Sequence, residues 1–166
     1  MVNVYFSKIK EEGVIPSKNV EDAGFDIYGI IEDDLIIKKG EVKLIPTGIA
    51  SAISDDYYFQ LQERGSTGTK GLSQRCGVID SGYRNEWFVP INNTTTKDIV
   101  ILKNYNDRME NLPIKYENHI VYPDTKAICQ AVILPVPKTE VKEITYDELL
   151  KMESIRGLGR LGSSGK

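Results

Sequence analysis

The residues best suited to chemistry lie in four short stretches, none of which contains a histidine. The most informative is Cys76-Gly77-Val78-Ile79-Asp80-Ser81-Gly82-Tyr83-Arg84-Asn85-Glu86-Trp87. Apolar Val78-Ile79 leads into Asp80, a Ser81-Gly82 turn follows, and a strand pattern restarts at Trp87-Phe88-Val89, which predicts a β-hairpin. Two roles stand open for Asp80. It can cap the turn through backbone N–H groups, or it can serve as a general base beside Tyr83, whose ring would form an aromatic floor for a sugar. Asn85 suits a backbone position with positive φ.

Glu63-Arg64-Gly65-Ser66-Thr67-Gly68-Thr69-Lys70-Gly71 combines a planar guanidinium fork, hydroxyl donors and glycines that let backbone approach an oxyanion. Its glycines do not fall at the spacing of a Walker A loop, and an ordinary turn after a strand would look similar. The C-terminal RGLGRLGSSGK holds four of the 14 glycines, with Arg156, Arg160, Ser163 and Ser164 among many backbone N–H groups. It is either a frayed terminus or a segment that closes over a phosphorylated ligand. Asp22-Ala23-Gly24-Phe25-Asp26-Ile27 sets two carboxylates four apart, which also suits a polar turn entering a strand.

The frame that must position these residues is 166 residues long, one domain's worth, with 21 basic and 24 acidic side chains. A net charge of −3 gives no bulk attraction to nucleic acid or anionic membrane. His119 is the single histidine, so histidine-rich metal sites and most Ser-His or Cys-His arrangements are excluded, and carboxylates must carry any catalysis. Cys76 and Cys129 lack C-x-x-C spacing and are expected as free, partly buried thiols in a reducing cytosol. The start MVNVYFSKIKEEG lacks the order of a signal peptide and no apolar run approaches a transmembrane span, so a cytoplasmic location is expected.

Strand patterns recur at Val4 to Ile9, Leu35 to Ile37, Val42 to Ile45, Tyr58 to Gln62, Cys76 to Ile79, Trp87 to Ile91, Ile99 to Leu102 and Ala127 to Val136. Short strands punctuated by Gly, Pro, Asn and Asp predict an all-β barrel or sandwich. Thr145-Tyr146-Asp147-Glu148 is a capping box that predicts one short helix, and a second helical turn is expected over Thr67 to Leu72 with Ser66 as cap. Asn104 to Asp124 is polar, irregular and longer than an ordinary connection; it reads as an insertion, a decorated loop or an added hairpin.

Taken in order, these segments resemble the five motifs of the trimeric dUTPase family. Ala23 to Ile27 resembles A-G-x-D-[LI], and Arg64 to Gly68 resembles the R-S-[SG] phosphate loop. Gly77 to Glu86 matches G-[VIL]-I-D-x-x-Y-x-[GN]-E, Ile128-Cys129-Gln130 with Ala131 to Ile133 matches the fourth motif, and Arg156 to Gly165 matches the R-G-x-G-x-x-G-S-[ST]-G tail. The ERGSTG loop and the insertion look most like members from phages or prophages of low-GC Gram-positive hosts.

The resemblance implies a distorted jelly-roll barrel of the β-clip type over residues 1–155, with residues 156–166 as a flexible glycine-rich tail. It implies hydrolysis of dUTP to dUMP and pyrophosphate, with Asp80 activating the water that attacks the α-phosphorus and Tyr83 packing on the deoxyribose. Backbone groups from Gly77, Val78 and Ile79 to Arg84 would read uracil, with Gln74 near the base. Arg64, Gly65, Ser66, Gln130, Arg156, Gly162, Ser163 and Ser164 would contact the phosphates. Asp26 would hold the water network around a Mg²⁺ carried by the triphosphate. The active unit would be a homotrimer whose sites are shared between chains. Two other readings are a dCTP deaminase of the same fold and a phage regulatory protein that binds a host protein through residues 104–124.

Two departures stand out. Gly65 follows the arginine where the family has serine, so the bridging-oxygen contact passes to Ser66 or a backbone N–H. Leu161 occupies the position of a phenylalanine that stacks on uracil, forfeiting roughly 1 to 3 kcal/mol of stacking. Leu161→Phe is therefore expected to lower the apparent KM for dUTP, and steady-state kinetics on the two proteins checks it.

Overall fold

The computed structural model describes residues 1–159. Arg160, Leu161, Gly162, Ser163 and Ser164 lie outside the described residues. Contacts divide the chain into residues 1–136 and 137–166. The break falls earlier than the 155/156 boundary read from the sequence. It lies where Pro135 and Pro137, which cannot donate to a ladder, bracket the end of the last strand.

The first unit is built on alternation. In β6 (Tyr57–Gln62) Phe59 and Leu61 are buried. β12 (Cys129–Pro135) runs antiparallel to it and sets Ala131 against Leu61 and Ile133 against Phe59. β2 (Gly24–Ile27) pairs with the other edge of β12, and β8 (Val78–Ile79) with the other edge of β6, giving the order β2-β12-β6-β8. A second sheet has the order β4-β9-β7, from Val42–Pro46, Phe88–Asn93 and Leu72–Gln74. β1 (Val4–Lys8) pairs with β5 (Ile49–Ile53), and β3 (Leu35–Ile37) with β10 (Ile99–Leu102) and β11 (Ile120–Pro123) in the order β11-β10-β3. The inner faces meet in one core. At its centre the rings of Phe59 and Trp87, both 0% exposed, meet edge to face at 5.0 Å, and Phe6 packs on both.

Several elements differ from the sequence reading. β5, Ile-Ala-Ser-Ala-Ile, shows no alternation because four of its five residues are buried. β8 begins only at Val78, since Cys76 has φ of +54° and cannot extend the strand; this, and not Asn85, is the left-handed residue of the stretch. α1 spans Gly65–Gly68 with Arg64 at its N-cap, two residues earlier than expected. There the Thr67 hydroxyl accepts from the Arg64 N–H at 3.0 Å and donates to the Arg64 carbonyl, which ends the extended backbone before Ser66 can act as cap.

The segment 104–124 is neither a loose loop nor a hairpin. β11 lies parallel to β10, and a parallel neighbour needs a crossover of a dozen residues or more. The crossover holds α2 (Tyr105–Arg108) and 3-10 turns at Met109–Asn111 and Ile114–Tyr116. Tyr116, 2% exposed, packs with Val100 and Leu102 in a small core of its own. Both ends are tied: Asp124 accepts from the backbone N–H groups of Asn104 and Tyr105, and Asp34 accepts two bonds from Arg108 at 2.6 and 3.0 Å and one from the Tyr116 hydroxyl.

The Arg108 fork, reinforced by Tyr116 and the Lys103 N–H, holds the Asp34 carboxyl well below the usual range, at about 2. A depressed carboxylate contributes stability above its unfolded pKa and loses it as pH falls through the folded one. Asp34→Asn is therefore expected to cost about 1 to 3 kcal/mol at neutral pH and to flatten the loss of stability between about pH 4 and 2. Urea melts of both proteins across that range check it.

In the second unit the capping box is present as read from the sequence. Glu148 N–H donates to Thr145 Oγ1 at 3.3 Å, and Thr145 N–H donates to Glu148 Oε2 at 2.8 Å, opening α3 (Tyr146–Leu150).

Candidate nucleotide site

Register sets the first cluster. Gln130 of β12 lies opposite Asp26 of β2 on one side and Gln62 of β6 on the other, so the outward phase of three strands forms one polar row. Just beyond β6, Arg64 folds back onto it. Its Nε lies 3.0 Å from Asp26 Oδ1 and its Nη2 3.2 Å from Asp26 Oδ2, while Nη1 donates to the Ala127 carbonyl at 3.3 Å. Gln130 Nε2 donates to the Glu63 carbonyl at 3.0 Å. The cluster thus brings together Asp26, Arg64, Ser66 and Gln130, held by α1. The loop turns through Gly65, where a Cβ would meet nothing within 4 Å.

Tyr122, one of the tyrosines spaced through segment 104–124, and Ala127 were given no part in the site from the sequence, yet both support this loop. The buried Tyr122 hydroxyl donates to the Ala127 carbonyl at 2.7 Å and shares a hydrogen bond with Ser66. Burial pushes its phenol pKa up. A tyrosine inside an irregular segment carries no sequence sign of such a role. Beneath the row, burial pushes the Cys129 thiol up to about 12, whereas Cys76 is exposed; both are free.

The second cluster surrounds a pocket of about 310 Å³ lined by Leu61, Cys76, Gly77, Val78, Ile79, Asp80, Tyr83, Phe88 and Pro90. The stretch around Asp80 is not a hairpin. β8 pairs only with β6, whereas β9 pairs with β4 and β7, so residues 80–87 carry the chain from one sheet to another. Trp87, fully buried and donating its backbone N–H to the Ile49 carbonyl, pulls the chain across. The Tyr83 N–H donates to the Asp80 carbonyl at 3.0 Å, which closes the turn. Arg84 braces it through the Ser81 carbonyl at 2.5 Å and the Ser51 carbonyl at 3.2 Å. Glu86 accepts from the Gly48 N–H at 2.8 Å and pairs with Lys10 at 3.2 Å, and its carbonyl accepts from the Tyr83 hydroxyl. Among the described residues the Asp80 carboxylate has no hydrogen-bond or ion-pair partner, and it lies exposed at the pocket rim.

A Cβ at Gly77 would run into the Gln60 side-chain nitrogen, which would have to swing away, and would approach the Leu61 carbonyl at 3.0 Å, so glycine lets the chain entering β8 lie close against β6. Gln74 does not line the pocket. Its amide donates to the Arg75 carbonyl at 2.7 Å and to the Cys76 carbonyl.

The two clusters of one chain stand apart. The pairing of Phe59 with Ile79 and Gln60 with Val78, continued by one residue, sets Asp80 level with Tyr58, six residues before Arg64 on the extended backbone of β6 and the two residues that follow it. That is about 20 Å at the rise of a β-strand.

An edge strand beside a pocket with an unpartnered carboxylate, together with a guanidinium loop on the same sheet, makes up the candidate site of this β fold among the described residues. Comparison with known proteins gives the class. The dUTPase family model matches residues 10–109. The deoxyuridine 5'-triphosphate nucleotidohydrolase of Nautilia profundicola is 36% identical over 163 residues, covering 96% of both chains. That of Clostridioides difficile is 30% identical over 169 residues, covering 99% of both. Among solved structures, the Staphylococcus bacteriophage 80alpha dUTPase superposes with a TM-score of 0.74 at 22% identity, over 99% of both chains. The chain belongs to the dUTPase family.

Proposed function

We propose that this chain, a dUTP diphosphatase by family, hydrolyses dUTP to dUMP and pyrophosphate at the pocket between Gly77 and Tyr83. The observation that carries this is Asp80: a carboxylate with no partner among the described residues, at the mouth of a pocket whose wall is the edge strand β8. With no strand on its far side among the described residues, β8 can offer backbone groups to the edge of a uracil ring, so shape and main-chain pairing take the place of polar side chains. Tyr83 meets the deoxyribose, where a 2′-hydroxyl would clash with its ring. Asp80 takes a proton from water as the water oxygen attacks the α-phosphorus in line. The bond from that phosphorus to the bridging oxygen breaks, and pyrophosphate leaves. Such a transfer asks mainly for positioning and charge neutralisation.

A Mg²⁺ is expected to enter on the triphosphate, and the Asp26 carboxylate, engaged by Arg64, stands at the phosphate loop. Mg²⁺ on the phosphates would neutralise their charge, with Asp26 reaching it through water. Arg64, Ser66 and Gln130, then Arg156 with Ser163 and Ser164 of the tail, bind the phosphate oxygens.

The separation inside one chain supports a shared site. The pocket runs from Cys76 and Gly77 to Asp80 and Tyr83, so a base within it directs its phosphates past Asp80, away from the Arg64 of the same chain. A second copy must supply the phosphate loop, as a homotrimer would. Pyrophosphate release from dUTP, dCTP, dTTP and UTP tests the whole reading: turnover of dUTP alone is expected, and ammonia release from dCTP would replace it with the deaminase.

A regulatory role is a second proposal. The 80alpha dUTPase is described as controlling transfer of virulence genes. In this chain the crossover exposes Met109 and, at 82%, Ile114, a surface on which a host protein could dock.

A further inference from the structure

Glu63 opens the ERGSTG loop without being assigned a role from the sequence, and it stands at a junction. Its Oε1 accepts from the Ser73 hydroxyl at 2.6 Å and from the Gln74 N–H at 3.1 Å. The Gln74 side chain in turn donates to the Arg75 and Cys76 carbonyls. Cys76 is one of two non-glycine residues with positive φ among the described residues, and with Gly77 it lines the pocket at the start of the stretch that leads to Asp80. A residue held in the left-handed region needs its neighbours to fix it. Here the chain of bonds Glu63 to Gln74 to Cys76 does so, with the Arg75 N–H tied to the Pro90 carbonyl at 2.8 Å on the other side.

We infer that Glu63 is a positioning residue for the base end of the pocket, acting through Ser73 and Gln74 to hold the Cys76–Gly77 lip open to a pyrimidine ring. This rests on the reading of that pocket as the uracil site. The short bond from Ser73 is charge-assisted and therefore among the stronger ones in the segment. Glu63 also precedes Arg64, so its carboxylate could instead act on the phosphate loop. The two roles part experimentally, because deoxyuridine fills only the base end whereas the α,β-imido analogue of dUTP also reaches the phosphate loop. Gln74, read from the sequence as a direct contact to the base, becomes under this inference a latch behind it.

The test is binding of deoxyuridine and of the imido analogue to the full-length protein, with dUTP turnover in parallel. Glu63→Ala is expected to weaken both ligands by the same factor, about tenfold, well inside the ~10²-fold that a 1 Å misplacement can cost. kcat should stay within about threefold, since the base takes no part in bond making. Glu63→Gln keeps an acceptor oxygen for Ser73 and Gln74 and should restore both affinities. Ser73→Ala should cause a smaller loss that is not additive with Glu63→Ala, as for residues in one network. Loss confined to the imido analogue, equal loss in Glu63→Ala and Glu63→Gln, or additivity would each overturn the inference. If Glu63→Ala fails to fold, Glu63→Gln and Ser73→Ala decide it by the same criteria. If the pattern holds while wild type leaves dUTP intact, the hydrolase reading fails and the positioning role stands.

Discussion

Asp80→Asn is expected to lower kcat for dUTP by about 10²- to 10⁴-fold, the usual worth of a positioned general base. The KM and the melting temperature should stay near those of the wild type. The substitution is nearly isosteric, and the carboxylate it removes makes no hydrogen bond or ion pair among the described residues. The turn that carries it is held independently by the Tyr83 N–H on the Asp80 carbonyl and by Arg84 on the Ser81 and Ser51 carbonyls. An amide keeps the size of the side chain but cannot take the proton from water. Pyrophosphate release at saturating dUTP, with a thermal melt as control, reads this directly. Residual turnover above about a hundredth of wild type would remove Asp80 from the role of base.

The second large effect is recovery of activity by mixing two dead proteins. Arg64→Ala removes the guanidinium that anchors the phosphate loop and is expected to be as inactive as Asp80→Asn. Within one chain the backbone of Arg64 lies six extended residues from the level of Asp80, about 20 Å, whereas the α- to γ-phosphorus atoms of a nucleotide span only a few ångström. If each site draws Asp80 from one chain and Arg64 from another, reassembled mixtures contain sites with both residues intact. Equal amounts exchanged through mild denaturant should regain about a quarter of wild-type turnover, since each of two independent choices succeeds half the time in a symmetric shared-site assembly. A site confined to one chain would regain nothing, so continued silence of the mixture would refute sharing.

Much of this architecture was legible because its signals are local. Leu35 to Ile37 and Ile99 to Leu102 coincide with the observed strands, and the Thr145–Glu148 box opens α3 as read. What escaped depends on neighbours distant in sequence. β5 hides its strand character because cover on both faces erases the alternation. The apparent hairpin at Asp80 has the right local chemistry, Val-Ile, turn, Trp-Phe-Val, but local chemistry cannot say that β8 and β9 belong to different sheets. The length of segment 104–124 was visible, while its cause, the parallel seat of β11 against β10, was not.

The site divides in the same way. Asp80, Tyr83, Arg64 and Ser66 are candidates by type and spacing, because carboxylates, guanidinium forks and glycine turns show their chemistry in a few consecutive residues, while Asp26 and Gln130 were proposed only through the resemblance to the family. Glu63, Tyr122 and the Ala127 carbonyl act by holding others, and such a role has no sequence signature beyond an ordinary side chain in an ordinary place. The amino-acid sequence by itself determined which candidate groups are present and the order of the segments that carry them, since both are properties of short covalent stretches. Only the tertiary structure decided which of those groups share a surface. Strand register aligns Asp26 with Gln130 and Arg64 on one row yet leaves Asp80 far along β6, and register is set by which side chains the core accepts.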